Sequence, residues 1–267
     1  MIKMDFYRFF RSKRRFLIYL FMIVAVLGYQ IEMLVNTKIP EFLFPVGFDS
    51  AYGNTHIFAS GIGSILSPII LFLSFGLVAG DWFLKDKKSK YAQQIRLKKG
   101  NINYVLSHYI VAFCVGAFVV MIPILVNTFV TFARVRAIPI SLENFGNLIS
   151  EIKTPFYRSI FLNNYPLFVV FQLLQAGLFG GLMSMFSIAV CNRSNSPYLG
   201  LFVPYFYSFV ISSFFTSFFG GTDLVALTMG FPWGISIGSI IMILPIIILI
   251  LYDLMKLLQQ KDVLVHE

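Results

Sequence analysis

The chain has 267 residues, of which 58% are hydrophobic and 12% charged, and its mean hydropathy is +0.80. A soluble domain carries roughly a quarter charged residues, so this composition excludes that class and predicts an integral membrane protein. The net charge of +9 does not indicate nucleic acid, because the basic residues flank apolar runs, where they are typical of topology signals. Two cysteines are too few for a disulfide framework or a metal site.

The first predicted element is an amphipathic helix over residues 2–15, with the sequence IKMDFYRFFRSKRR. Such a helix is expected to lie in the membrane interface. At 3.6 residues per turn, the apolar side of this helix consists of Ile2, Phe6, Phe9 and Phe10. The polar side consists of Asp5, Arg8, Ser12 and Arg15.

Six apolar runs are long enough to predict membrane spans. A signal peptide is the alternative for the first run, but its apolar region would be shorter and would precede a small-residue cleavage site. The segment at 220–236 is too apolar for an ordinary loop and too broken by Gly and Pro for a span, so it predicts a re-entrant or interfacial hairpin. The predicted spans are 16–34, 64–83, 104–132, 165–190, 198–219 and 237–255, with a short turn at 191–197 and a mixed polar connection at 133–164.

Lysine and arginine are distributed unevenly between the two sides of these spans. With six spans, 16 of the 21 basic residues fall on the side that holds both termini, and 5 fall on the other. The positive-inside rule therefore predicts that both termini are cytoplasmic.

The basic stretch from Asp81 to Tyr104 lies on the same predicted cytoplasmic side. Ser89 is suited to cap a helix over 90–99, and Gly100 is suited to end it. Tyr91 and Ile95 would share one face of that helix and form a small apolar stripe. The stretch predicts either a docking segment for a cytoplasmic partner or a solvated basic loop near anionic lipid headgroups.

Residue patterns typical of enzymes are missing from the sequence. The three histidines, His56, His108 and His266, lie in different regions, and there is no Walker-type phosphate-binding motif. The acidic residues Glu32, Asp81 and Asp253 sit at span ends, where we expect a structural role in contact with water. We therefore predict no catalytic, cofactor-binding or metal site in this chain.

Neutral polar and small residues mark the predicted spans. Gln172 and Gln175 share a helix face, where they could line a substrate path or form interhelical hydrogen bonds. Small-residue pairs predict close helix packing, either within one subunit or across a dimer. These pairs are Gly177 with Gly181, Gly180 with Ser184, and Gly234 with Gly238.

The layout resembles a type-2 (ABC-2) ABC transporter permease over nearly the whole chain. The best local match is LKDKKSKYAQQIRLKKGNINYVLSHY, residues 84–109, between the second and third predicted spans. The resemblance implies a single all-α transmembrane domain over 1–267, with an elbow helix at 1–15 and a coupling helix within 85–103. Implied elbow residues are Phe6, Phe9, Phe10 and Arg11; implied ATPase-coupling residues are Asp86, Lys87, Lys88, Tyr91, Gln94, Ile95, Arg96, Lys98 and Lys99.

The resemblance also implies partners and cargo. Two permeases, identical or homologous, would pair with two ABC ATPase subunits that hold ATP and Mg, in a bacterial cell membrane and in contact with its lipid. The cargo would be an amphipathic molecule, such as a hydrophobic or antimicrobial peptide, moved outward. A non-transporting scaffold or sensor subunit is the alternative. The candidate substrate path consists of Gln172, Gln175, Tyr205, Ser208 and Ser212.

Overall fold

The computed structural model describes residues 2–11, 13, 16–17, 20–21, 24, 75, 84–86, 89, 94–96, 98, 100–134, 155–219, 227 and 237–259. Every regular element in these ranges is helical, which confirms the all-α prediction for this part of the chain. The elements are α1 (Ile2–Phe10), α2 (Asn101–Arg134), α3 (Pro155–Asn163), α4 (Tyr165–Ser194), α5 (Pro197–Phe206), a π-helical segment π1 (Tyr207–Ile211), α6 (Ser212–Phe219) and α7 (Ile237–Gln259).

Four helical stretches are long and apolar enough to cross a membrane, which indicates a multi-pass membrane protein. They correspond to the last four predicted spans. The first two predicted spans, the loop between them and the hairpin at 220–236 lie almost wholly outside the described residues. The four stretches are Asn101–Val130, Tyr165–Ser194, Pro197–Phe215 and Ser239–Gln259.

Local side-chain chemistry sets both ends of α4. At its start, the Asn164 side chain accepts a 3.2 Å hydrogen bond from the backbone N–H of Leu167. At its end, Asn195 adopts a left-handed conformation with φ of 51°, and Pro197 then opens α5. The predicted turn at 191–197 is therefore too long, because α4 continues to Ser194 and only two residues separate it from α5.

The α4 helix is the most buried of the four spans and packs chiefly on α2. The two helices approach closely at Gly116 and Gly180: a Cβ on Gly180 would lie 2.8 Å from the Gly116 carbonyl oxygen. A Cβ on Gly181 would lie 2.5 Å from the Phe113 ring. Both small-residue pairs of α4 therefore contact α2 of the same chain. These pairs pack helices within one subunit, which the sequence alone did not distinguish from packing across a dimer. Of the pair Gly234 and Gly238, Gly238 belongs to α7 and Gly234 lies outside the described residues.

A proline in α5 is compensated by a side chain of α4. Pro204 has no N–H, so the Gly200 carbonyl loses its usual donor within the helix. The Ser187 hydroxyl donates a 2.7 Å hydrogen bond to that carbonyl instead. Beyond Pro204, the Tyr207 hydroxyl donates a 2.8 Å hydrogen bond to the Met242 carbonyl in α7. These hydrogen bonds connect the α5–π1 region to α4 and to α7.

Candidate functional site

The first turns of α2 carry a buried polar cluster that holds three separate parts of the chain together. We call it the α2 polar cluster; it consists of Asp5, Asp86, Tyr104, Ser107 and His108. All five residues are at most 4% exposed. Buried polar groups are stable only when they are hydrogen-bonded, so their partners determine how these segments pack.

His108 lies at the centre of this cluster. Its Nε2 atom is 3.2 Å from Asp86 Oδ2, and its Nδ1 atom is 3.1 Å from the Tyr104 carbonyl oxygen. The same Nδ1 atom is 3.9 Å from Asp5 Oδ2. The imidazole therefore joins α2 to residues 84–86 and lies close to Asp5 of α1.

Asp5 contacts the same end of α2 through a serine. The Ser107 hydroxyl lies 3.1 Å from Asp5 Oδ2 and 3.0 Å from the Tyr104 carbonyl oxygen. The sequence pattern places Asp5 on the polar side of the first helix but does not show that this polar side packs on α2. Asp5 is fully buried because α2 offers hydrogen-bonding partners at this point, which the pattern of α1 alone does not reveal.

An aromatic stack extends the cluster toward the basic segment. The Tyr104 and His108 ring centroids are 4.4 Å apart, and the Arg96 guanidinium lies 5.0 Å from the Tyr104 ring centroid. At this distance the cation is attracted to the face of the ring. Arg96 therefore packs inward on α2 and is half-buried.

Gly100 forms a tight junction between the basic segment and α2. Its φ of +81° is left-handed, and its N–H donates a 2.9 Å hydrogen bond to the Arg96 carbonyl, which closes a helical turn. The predicted helix stop at Gly100 is confirmed, and α2 begins at the next residue. The Ser89 hydroxyl donates to the Asp86 carbonyl at 2.9 Å and so closes the preceding turn. The residues that Ser89 is predicted to cap, 90–93, lie outside the described part of the chain.

A second buried polar contact lies on the adjacent residue of α2. The Tyr109 hydroxyl donates a 2.7 Å hydrogen bond to Asp253 Oδ2, and the Asn192 amide donates to both Asp253 oxygens at 2.8 and 3.0 Å. Asp253 is 1% exposed, so the role in contact with water predicted for it is wrong. Its carboxylate is instead satisfied by α2 and α4, and it ties α7 to both.

Some of the predicted coupling residues are buried against the rest of the protein, and others are exposed. Asp86 is buried against His108, and Ile95 packs partly on the main hydrophobic core. Gln94 and Lys98 are exposed, whereas Arg96 stacks on Tyr104. Among the described residues of this segment, the exposed predicted coupling residues are polar, and Ile95 is partly buried. Lys87, Lys88, Tyr91 and Lys99 lie outside the described residues.

Within the predicted elbow, residues 2–10 form α1 and Lys13 is also helical. Phe6 packs partly on the main core, and Phe9 and Phe10 belong to α1. Arg11 follows in a turn, is exposed, and lies with its guanidinium 5.9 Å from the Tyr7 ring centroid.

The candidate substrate-path residues have partners in different places. The Tyr157 hydroxyl donates to Gln175 Oε1 at 3.0 Å, and Gln175 Nε2 donates to the Leu227 carbonyl at 3.3 Å. Burial raises the pKa of the Tyr157 hydroxyl, which keeps it a donor. These bonds favour the packing interpretation of Gln175, and Gln172 beside it is also buried.

In the π1 region, the Ser208 hydroxyl donates to the Pro204 carbonyl at 2.8 Å and is buried. Ser212 is buried too, and Tyr205 packs against Phe209 with ring centroids 4.8 Å apart. The contacts described for these side chains therefore serve helix packing.

Sequence reasoning missed the α2 polar cluster because its members are far apart in the chain. One signal was present: an ionisable residue inside an apolar run is costly unless it is paired, and His108 lies in the first turns of a predicted span. That signal marks His108 but does not name Asp5 or Asp86 as its neighbours. Within the described ranges, no three His, Cys, Asp or Glu side chains are grouped so that they could hold a metal ion.

Comparison with known proteins finds no matching family model, no matching curated protein and no matching solved structure. What this chain does must therefore be argued from its own residues.

Proposed function

We propose that this chain is the permease subunit of an ATP-driven ABC exporter in a bacterial cell membrane, with ATP and Mg²⁺ on separate ATPase subunits. The proposal rests on one observation: the basic segment, to which the ATPase would bind, is attached to the span α2. Asp86 contacts His108, and Gly100 joins the segment directly to α2. A push on this segment is expected to move α2, because no long flexible linker separates the two.

The second support is the position of α1. Asp5 contacts Ser107 at the same end of α2, so α1 and the basic segment share one anchoring point. The second contact, Tyr109 with Asp253, continues from this point to α7. To transmit movement between the ATPase and the spans, the protein needs buried, hydrogen-bonded contacts between its helices more than it needs catalytic groups.

The surface left for the partner is basic and polar. Lys85, Gln94 and Lys98 are exposed, so the groove of the ATPase is expected to carry complementary acidic groups. Two permeases, identical or homologous, would form the pathway between them.

The proposed cargo is amphipathic, such as a hydrophobic or antimicrobial peptide. Exposed aromatic residues recur along α5 and α6 and would suit apolar parts of such a molecule as well as lipid. They are Tyr198, Phe202, Phe206, Phe214 and Phe218.

The experiment is to purify the chain with ATPases encoded beside it, reconstitute the complex in lipid, and measure vanadate-sensitive ATP hydrolysis with and without amphipathic peptides. Stable association and peptide-stimulated hydrolysis are expected. Asp86→Asn should keep the association but reduce the stimulation, whereas Ser217→Ala, at an exposed serine of α6, should change neither. Absence of association with any ATPase would rule out the proposal.

The alternative is a non-transporting scaffold or sensor subunit that docks a cytoplasmic partner on the same basic segment. The exposed basic side chains would serve such a partner equally well. Distances between spin labels on α2 and α7 separate the two functions: a permease changes them when its ATPase binds nucleotide, and a scaffold does not.

A further inference from the structure

The last turns of α4 and α7 carry two exposed cations near one tyrosine. The Arg193 guanidinium of α4 lies 4.2 Å from the centroid of the Tyr252 ring in α7, a distance at which the ring face attracts a cation. Lys256 follows Tyr252 by four residues, so it is on the same side of α7, one turn closer to the end of the helix. Cations from two helices are therefore brought to one place on the surface.

The positive charge at this place is not neutralised by the described part of the chain. Neither the Arg193 nor the Lys256 side chain forms an ion pair or a hydrogen bond there. Asp253, in the same part of α7, is buried and accepts hydrogen bonds from Tyr109 and Asn192. The partial negative charge at each helix end is only about half a unit charge, so it offsets only part of the two positive charges. The surface is therefore complementary to an anion.

Both cations lie at the ends of candidate membrane spans. The α4 and α7 helices coincide with two of the four stretches that are long and apolar enough to cross a membrane, and each cation is in the last turn of its helix. The contact of Arg193 with Tyr252 shows that these two ends lie at the same face of the helix bundle. Long basic side chains at span ends extend their charged groups toward the headgroup layer, so the complementary anion is expected in that layer.

An exposed apolar stripe of α7 leads from Tyr252 toward the middle of the span. Its residues recur at intervals of three and four, so they share one side of the helix with Tyr252. From Ile241 to Tyr252 the helix rises about 16 Å at 1.5 Å per residue, close to half of the roughly 30 Å hydrocarbon core of a bilayer. The stripe therefore matches an acyl chain of one leaflet in length. It consists of Ile241, Leu244 and Ile248.

We propose that Arg193 and Lys256 bind the phosphate of an anionic phospholipid whose acyl chain lies along this stripe. The guanidinium and the ammonium donate charge-assisted hydrogen bonds to the phosphate oxygens, and Tyr252 positions Arg193. Because one phosphate joins α4 to α7, the bound lipid stabilises the packing of these helices. A zwitterionic headgroup binds less well, since the two cations repel its quaternary ammonium. The proposal rests on the membrane-spanning character of α4 and α7 and not on the proposed transport function.

Native mass spectrometry tests the charge preference. The purified chain in neutral detergent receives equal amounts of dioleoylphosphatidylglycerol and dioleoylphosphatidylcholine, which have the same acyl chains and differ in headgroup charge. We expect severalfold greater retention of the anionic lipid, and a loss of that preference in Arg193→Gln and in Lys256→Gln. Lys3→Gln, at an exposed lysine of α1, is the control and should keep it. Equal retention of the two lipids, or an equal loss with Lys3→Gln, would overturn the proposal.

Two substitutions of Tyr252 test its positioning role in the same measurement. Tyr252→Phe should keep the preference for the anionic lipid, because a phenyl ring still attracts the guanidinium. Tyr252→Leu keeps an apolar side chain but removes the ring, and should reduce the preference. An equal effect of the two substitutions would contradict the positioning of Arg193 by the ring.

Thermal unfolding in neutral detergent separates a lipid from other occupants. Dioleoylphosphatidylglycerol should raise the unfolding temperature of the unaltered protein and should raise that of Arg193→Gln much less. Glycerol 3-phosphate, which carries a phosphate but no acyl chain, should raise neither at the same concentration. An equal increase with glycerol 3-phosphate would assign the site to free phosphate and overturn the lipid proposal. A lipid-free dimer that Arg193→Gln dissociates would assign this face to a second copy of the chain and would overturn it as well.

Discussion

The Tyr109 hydroxyl donates a 2.7 Å hydrogen bond to Asp253 Oδ2, and this bond joins α2 to α7 across 144 residues of sequence. Both side chains are buried, and Asn192 of α4 donates to the same carboxylate. A carboxylate in an apolar bundle is tolerated only when donors surround it. The three helices are therefore expected to depend on one another at this point.

Tyr109→Phe should lower the free energy of unfolding by about 1–3 kcal/mol, because a buried acceptor loses one donor. Thermal unfolding in detergent measures the loss. Tyr198→Phe is the matched control, since Tyr198 is 72% exposed. Equal unfolding temperatures for the two variants would show that the Asp253 contact contributes no stability.

Gly116→Ala should disrupt the crossing of α2 and α4. The added Cβ would lie 2.5 Å from the Gly180 carbonyl oxygen and would also overlap the Ser184 side chain, so the helices must separate. Such overpacking costs roughly 1–3 kcal/mol. The unfolding temperature should fall well below that of Leu178→Ala, a change at an exposed position of α4. An unchanged unfolding temperature would mean that α2 and α4 can move apart without a loss of stability.

Gly100→Ala should destabilise the junction through backbone strain alone. No atom lies within 4 Å of a Cβ built there, but φ is +81°, which L-residues other than Asn and Asp seldom adopt. The expected cost is about 1 kcal/mol, and Gly100→Asn should lose less, because asparagine tolerates this conformation. Unfolding temperatures of the two variants provide the comparison. A larger loss with asparagine would contradict the conformational explanation.

Ser187→Ala should cost about 1–2 kcal/mol, because the Gly200 carbonyl loses its donor beside Pro204. The same change should cost less in a Pro204→Ala background, where residue 204 regains an N–H for that carbonyl. A double-mutant cycle on unfolding temperatures measures this difference. Strictly additive effects would show that Ser187 does not compensate for the proline.

If the proposed function holds, Lys98→Glu should weaken association with the proposed ATPase partner more than Ile95→Ala does, because Lys98 is exposed and Ile95 packs partly on the core. The effect should shrink as salt is added, since exposed charges are screened. The affinity of the purified protein for the proposed ATPase partner, at low and high ionic strength, measures this effect. Lys256→Glu, at an exposed site near the end of α7, is the control, and an equal effect there would indicate general charge attraction.

The amino-acid sequence determined the helical class and the last four spans of this protein, because both follow from local properties. An apolar run of sufficient length must form its backbone hydrogen bonds within itself when it enters a membrane, so composition and length decide the outcome. The helix stop at Gly100 was predictable for the same reason, since glycine adopts left-handed backbone without strain.

Only the tertiary structure decided which polar residues are buried and what they contact. The sequence placed Asp5 on the polar face of an interfacial helix and Asp253 at a span end in contact with water, yet both are buried. Each has donors on other helices: Ser107 serves Asp5, and Tyr109 and Asn192 serve Asp253. The free energy of burying a carboxylate depends on partners that are distant in sequence, and no local pattern contains that information.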